Sequence, residues 1–262
     1  MTSTVATAPL LEVRGLSKSY GAVRALRHAD FSVRAGQVVA IAGDNGAGKS
    51  TLLKILSGII PSDGGEILFE GQPASIHSPT SATKLGIQTV YQELSLCGNL
   101  DTVDNIFLGR EFNRSLWGFF RLSRPKMERE AQRMLDELEI HIQKIDAPVG
   151  MLSGGQRQCV AVCRAILGDP KVVILDEPTA ALGVTQTRDV LKLIDHLRFQ
   201  RRGVILVSHD LAEVLRIADR VVVLRRGITV ESRPVSEWTE HSLVAAITGA
   251  TANDGRESLG GV

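Results

Sequence analysis

The run Gly43-Asp44-Asn45-Gly46-Ala47-Gly48-Lys49-Ser50-Thr51 constrains this chain more than any other stretch. It follows the apolar segment Gln37–Ala42 and opens a helical segment that ends at Gly58. A glycine-rich turn between a strand and a helix lets backbone N–H groups point inward around phosphate oxygens. The helix N-terminus adds about half a positive charge. Lys49 is placed to reach the β- and γ-phosphates of a bound nucleotide, and Ser50 to bind Mg²⁺. The motif needs a strand behind it and a helix in front of it, and both are here.

The rest of the pattern agrees with an α/β chain. "LLEVRGLSKSY", "DFSVRAGQVVAIAG" and "GGEILFEG" read as early strands broken by glycines. Ser78 and Pro79 open a short helix. From about 95 to 165 the pattern turns helical, and Met127, Ala131, Met134 and Leu138 form one apolar stripe. "KVVILDEP" and "GVILVSH" are continuous apolar runs, as strands buried on both faces require. A helix near 185–200 lies between them. A short helix, the strand "RVVVLRRG" and a helix near 236–247 follow. The expected fold is a P-loop NTPase (RecA-like) parallel-sheet core with an N-terminal antiparallel β subdomain and an inserted α-helical subdomain. The domain spans 10–250, and the ends 1–9 and 251–262 are expected to be flexible.

In open parallel sheets, ligands sit beyond the carboxyl ends of the strands. Three buried strands end in polar groups: the glycine loop itself, Asp176-Glu177, and Ser208-His209. Asp176 would take Mg²⁺ or its water shell. Glu177 would orient or deprotonate an attacking water, and His209 would contact it or the terminal phosphate. Gln92, in "TVYQEL", is a candidate sensor of that phosphate and of Mg²⁺.

Composition narrows the partners. Thirty Lys+Arg against twenty-nine Asp+Glu leave a net charge of +1, which gives no support to nucleic-acid binding. Cys159 and Cys163 lie four apart in an apolar helical pattern and read as small buried hydrophobes; with Cys97 they make no disulfide framework. No apolar run is long enough to span a bilayer, and "MTSTVATAPL" is unlike a signal peptide. The expected place is the cytoplasm, with any membrane role through a partner.

A second small polar loop, Met151-Leu152-Ser153-Gly154-Gly155-Gln156, also opens a helix. In order, the chain carries the phosphate loop, Gln92, "LSGGQ", "ILDEP" and "SHD". Over roughly residues 10–230 it resembles the ATP-binding subunit of ABC transporters. The resemblance implies two subunits packed head-to-tail, with ATP and Mg²⁺ as cofactors. Ser153, Gly154, Gly155 and Gln156 would then complete the partner copy's nucleotide site. It also implies that Tyr20 stacks on adenine, Gln92 belongs to the Q-loop, Asp176 and Glu177 form the Walker B pair, and His209 is the switch histidine. Where the family commonly has Asp after "DEPTAAL", this chain has Gly183, which bears on communication between the two sites.

"VYQELSL", "DNIFLGRE" and "EPTAALGV" look like ATPases of bacterial monosaccharide importers, of the single-domain fructose type. The implied partners are a second copy, integral-membrane permeases at the cytoplasmic face of the cell membrane, and indirectly a periplasmic solute-binding protein. A permease helix is expected near 92–112, in a groove that includes Leu94, Leu96 and Phe107, although these apolar residues read equally well as core of the inserted lobe. The rival readings are a soluble ABC-type ATPase acting on DNA or ribosomes, a small-molecule P-loop kinase, and a nucleotide-gated binding module without turnover. The kinase leaves "LSGGQ" unexplained; the binding module rests only on Gly183.

Overall fold

The computed structural model describes residues 8–116 and 119–250. The chain opens with strands β1 (Leu11–Tyr20), β2 (Val23–Val33) and β3 (Val38–Ala42), then helix α1 (Lys49–Leu56). Strands β4 (Gly64–Phe69) and β5 (Gln72–Pro73), helix α2 (Pro79–Leu85) and strand β6 (Ile87–Val90) follow. Next come α3 (Thr102–Phe107), β7 (Asn113–Leu116), β8 (Phe119–Leu122), α4 (Arg124–Glu137) and α5 (Gly154–Ile166). The last third alternates: β9 (Val172–Asp176), α6 (Val184–Phe199), β10 (Gly203–Val207), α7 (Leu211–Ile217), β11 (Arg220–Arg225), β12 (Ile228–Pro234) and α8 (Glu240–Thr248).

Ten strands join one sheet in the order β5-β4-β1-β2-β12-β11-β3-β10-β9-β6. From β11 to β6 every pair is parallel; β1, β2, β4 and β5 pair antiparallel. The apolar runs of β3, β9 and β10 bury both faces. Because side chains alternate along a strand, Val38, Ala40, Val173, Leu175, Val204 and Leu206 enter one core. Val39, Ile41, Val172, Ile174, Ile205 and Val207 enter the other. Helix α1 packs in the second core, while the inserted lobe and α6, α7 and α8 pack in the first. Among the described residues, no helix is long and apolar enough to cross a membrane.

The insert holds the expected stripe: Met127, Ala131, Met134 and Leu138 are all buried. Arg124 ties the first turn of α4 to Asp101 and Asp104 at the start of α3, and reaches Glu128 at 2.9 Å. Cys159 and Cys163 are free and buried in α5. Loss of water raises both thiols, Cys159 to about 12, so they stay protonated.

Two expectations are corrected here. The insert is not wholly helical: β7 and β8 form an antiparallel pair between α3 and α4, with Asn113 opposite Leu122. Phe107 does not line a docking groove; it is fully buried, 5.1 Å from the Phe112 ring centroid-to-centroid. The surface hollow beside the Q-loop is lined instead by Tyr91, Leu94, Leu108, Arg110 and Arg164, with Leu108 exposed. Leu96 packs against the core behind it. Phe107→Ala should therefore cost about 3–5 kcal/mol by leaving a cavity. Chemical unfolding should show that loss, whereas an unchanged midpoint would place the ring outside the core.

Candidate active site

The site is built where β3, β10 and β9 lie side by side. Val207 is in register with Ile41 on one side and Asp176 on the other, so three strands end level. The Gly43–Thr51 loop leaves β3, Asp176-Glu177 leave β9, and Ser208-His209 leave β10. Gly43, Asp44, Asn45, Glu177, Ser208 and His209 line one cleft.

The loop is shaped by its neighbours. A Cβ on Gly43 would lie 2.3 Å from the carbonyl oxygen of Leu224, and one on Gly48 2.6 Å from that of Ala25. Gly48 also has φ +107°, a conformation L side chains rarely adopt. Ala47 N donates to Asp44 O at 3.1 Å, and Gly227 N, in the β11–β12 turn, donates to Ala47 O at 2.9 Å. Asn45 N donates to Asp44 Oδ1 at 2.7 Å. Gly46, with φ +76°, has open space around it. The first turn of α1 leaves its N–H groups, from Lys49 through Thr51, without intrahelical acceptors. Ser50 is exposed there.

Lys49 is buried, and its Nζ donates to the carbonyls of Gly43 (2.5 Å) and Asp44 (3.0 Å). Burial pulls its pKa below the ordinary lysine value, against the pull of Glu177, Asp44 and Asp176. Asp176 is raised above the usual carboxylate range, first by burial and then by the charge on Glu177; Lys49 opposes both. An acidic pair under this strain is relieved by a cation. Brought together, the Ser50 hydroxyl, Asp176 carboxylate and Gln92 amide would be an all-oxygen set of the kind Mg²⁺ takes, with few protein ligands plus water and phosphate. Among the described residues there is no cluster of three or more His, Cys, Asp or Glu side chains that could hold a metal ion by themselves.

Glu177 has φ +47°, sparsely populated for a residue with a side chain and a cost of about 1–3 kcal/mol. Its N–H donates to Val207 O at 2.8 Å, fixing it to the end of β10. Its carboxylate Oε1 lies 3.4 Å from His209 Nδ1, and His209 is largely exposed. Gln92 follows β6, the strand beside β9, and is exposed. Tyr20, at the end of β1, is 46% exposed. The end of β1 just before it is held by Asp63, which accepts from Lys18 Nζ and Ser19 N, each at 2.7 Å.

The signature residues lie elsewhere. Ser153 caps α5, accepting from Gln156 N at 3.2 Å, and Gln156 Oε1 accepts from Ser153 N at 3.1 Å. Their hollow, lined by Glu139, His141, Ser153, Gly155 and Gln186, shares no residue with the cleft at the phosphate loop. The two glycines have work within the chain: a Cβ on Gly154 would meet Leu182 Cδ2 at 2.8 Å, and one on Gly155 would meet Gln186 Cβ at 2.9 Å. They let α5 start against the turn before α6. Gly183 is different. Its φ is −76°, its N–H donates to Gln186 Oε1 at 3.4 Å, and a Cβ there would meet nothing within 4 Å.

Sequence reasoning missed several neighbours. Val244, Ile247 and Thr248 of α8 form one wall of the cleft. Thr179, after the acidic pair, donates its hydroxyl to Glu213 on α7. The glycine of "RRG" holds the phosphate loop through Gly227 N; that triplet was visible as a strand end, but not its partner.

A family model described as ABC transporter matches residues 26–180. A fructose import ATP-binding protein of Rhizobium meliloti is 46% identical over 250 residues, 94% of this chain and 96% of that protein. A xylose/arabinose import ATP-binding protein of Sulfolobus acidocaldarius is 42% identical over 239 residues, 91% of this chain and 94% of that protein. Among solved structures, a nucleotide-free ATP-binding cassette from an ABC transporter matches with TM-score 0.78 at 24% identity, over 92% of this chain and 96% of that one.

Two substitutions test the geometry. Gly183→Asp fits the open space and supplies a helix cap, so its stability should equal or exceed the parent's by about a few tenths of a kcal/mol, with a melting temperature no lower than the parent's. A drop of several degrees would mean that the turn needs glycine. Asp176 holds its proton more tightly folded than unfolded, so it favours the fold at low pH and loses that benefit as pH rises through its raised pKa. Asp176→Asn removes the buried charge and should melt at or above the parent near pH 7 without nucleotide. The gain should shrink toward the ordinary aspartate value of 3.8. A lower melting temperature at neutral pH would contradict this.

Proposed function

Because this chain belongs to the ABC transporter family, we propose that it is the ATP-hydrolysing subunit of an import complex for a monosaccharide, working at the cytoplasmic face of a cell membrane. The solute class rests on the fructose and xylose/arabinose import relatives, which the chain matches over nearly its whole length. The observation that carries the mechanism is the separation of the two anion-binding helix starts. The phosphate loop and Glu177 share one cleft, and the Ser153 loop lines a different hollow that has no residue in common with it. A second copy, packed head-to-tail, supplies the missing half.

ATP lies along Gly43–Thr51 with adenine against Tyr20. Lys49 leaves the carbonyls of Gly43 and Asp44 and pairs with the β- and γ-phosphates. Ser50, Asp176 and Gln92 would hold Mg²⁺, directly or through its water, and the ion would supply positive charge against the phosphates. Ser153 and Gly155 of the other copy close on the γ-phosphate with their helix N-terminus. Glu177 accepts a proton from the attacking water, and His209 orients that water. Catalysis is mostly positioning and charge stabilisation.

Membrane permeases are the partners that turn closure into transport. The hollow of Leu94, Leu108, Arg110 and Arg164 beside the Q-loop is their docking place. Contact at this hollow carries dimer closure to the permeases and so on to solute delivered by a periplasmic binding protein. Gly183 leaves the nucleotide ligands untouched, and hydrolysis survives it.

Glu177→Gln should bind ATP normally and hydrolyse it roughly 10²–10⁴-fold more slowly; phosphate release by the permease complex measures this, and normal turnover would remove Glu177 from its role. A Lys49→Ala copy mixed with a Ser153→Arg copy should regain one working site per pair. No recovery in that mixture would sink the shared-site reading. Leu108→Asp should weaken permease pull-down and uptake while nucleotide affinity stays unchanged, and full pull-down would move the docking place.

A further inference from the structure

The strained Glu177 needs an anchor beyond its own N–H, because a disfavoured backbone persists only where its surroundings over-determine it. One anchor is the backbone bond to Val207. The turn that follows is closed by Ala180 N on Glu177 O at 3.1 Å and Leu182 N on Thr179 O at 3.2 Å. Both bonds lie inside the turn and set nothing about its place. The other anchor is a side chain: Thr179 Oγ1 donates to Glu213 Oε2.

Glu213 is itself held. Its N–H donates to Asp210 Oδ1 at 3.0 Å in the first turn of α7, and Asp210 N donates to Ser208 Oγ at 3.0 Å. Ser208 is buried and Val214 fully so, which fixes the start of α7. A chain of bonds thus runs from Ser208 through Asp210 and Glu213 to Thr179, around the segment that carries His209. Among the described residues, apart from the His209–Glu177 contact itself, this is the side-chain hydrogen bond that joins the 177–182 turn to the 208–213 segment.

We propose that Glu213 and Thr179 are positioning residues for hydrolysis: their hydrogen bond sets the separation between the Glu177 carboxylate and the His209 ring. Neither touches nucleotide. They act through the turn, so they bear on the chemical step and not on ATP capture, which belongs to Lys49 and the glycine loop. The inference rests on the reading of Glu177 and His209 as the groups that handle water.

The test is steady-state ATP hydrolysis by the permease complex, with nucleotide affinity and melting temperature measured alongside. Thr179→Val keeps the shape and removes the donor. Glu213→Ala removes the acceptor, and Glu213→Gln keeps an acceptor oxygen. Thr179→Val and Glu213→Ala should each lower kcat roughly ten- to a hundredfold, the scale of an ångström misplacement, with KM and nucleotide affinity within about twofold of the parent. Thr179→Ser and Glu213→Gln should retain most of the turnover. The Thr179→Val/Glu213→Ala pair should be no slower than the worse single, because one bond is lost once. Normal kcat in Thr179→Val, losses that multiply in the pair, or KM rising in step with the fall in kcat would each overturn the inference. Should Glu213→Ala not fold, Thr179→Val against Thr179→Ser decides alone. Glu177→Gln in the same assay separates the levels: its normal turnover breaks the underlying reading. Its inactivity beside a normal Thr179→Val breaks only this one.

Discussion

Everything at the site depends on the parallel pairing of β9 with β10 and of β10 with β3. Val207 faces Ile41 and Asp176 at once, so the phosphate loop, the acidic pair and the histidine leave the sheet at one level. A strand rises about 3.3 Å per residue, so a slip of one would carry a carboxylate that far and turn it to the other face. The protection against a slip is burial on both sides. Residues alternate into two separate cores, and no position in these strands has a polar side to offer before the strand ends.

Charge at that level is balanced within the chain. Lys49 is buried and would lose its proton more readily on that account; three acids oppose the shift. Asp176 is buried and would keep its proton; Lys49 opposes that shift. Lys49 and Asp176 need each other because each is partly withdrawn from water.

Much of this was legible in the sequence. The glycine loop, the buried strands and the Met127 stripe depend on local pattern, and all folded as read. The β7–β8 pair was not legible because Asn113–Leu122 lacks a clean alternation inside a region dominated by helical spacing. For Phe107 the sequence left groove and lobe core open, because apolar character alone does not give depth; its place in the core, with Phe112 packed beside it, depends on the tertiary fold. The link between Thr179 and Glu213 spans thirty-four residues and depends on two elements meeting. The demand for glycine at 155 likewise comes from the Cβ and Cα of Gln186 across the fold, whereas the position reads locally only as a helix opening.

The turn at Gly227 gives its N–H to Ala47 of the phosphate loop and its carbonyl to Arg27 and His28 of β2. Loop, β11–β12 hairpin and N-terminal strands are thereby riveted into one block. Tilting the antiparallel layer would pull the nucleotide cradle with it. At the opposite edge the chain runs without helix or strand from Tyr91 to Leu100 before α3 begins, so the inserted lobe leaves the sheet there through a loop and not through a strand pairing.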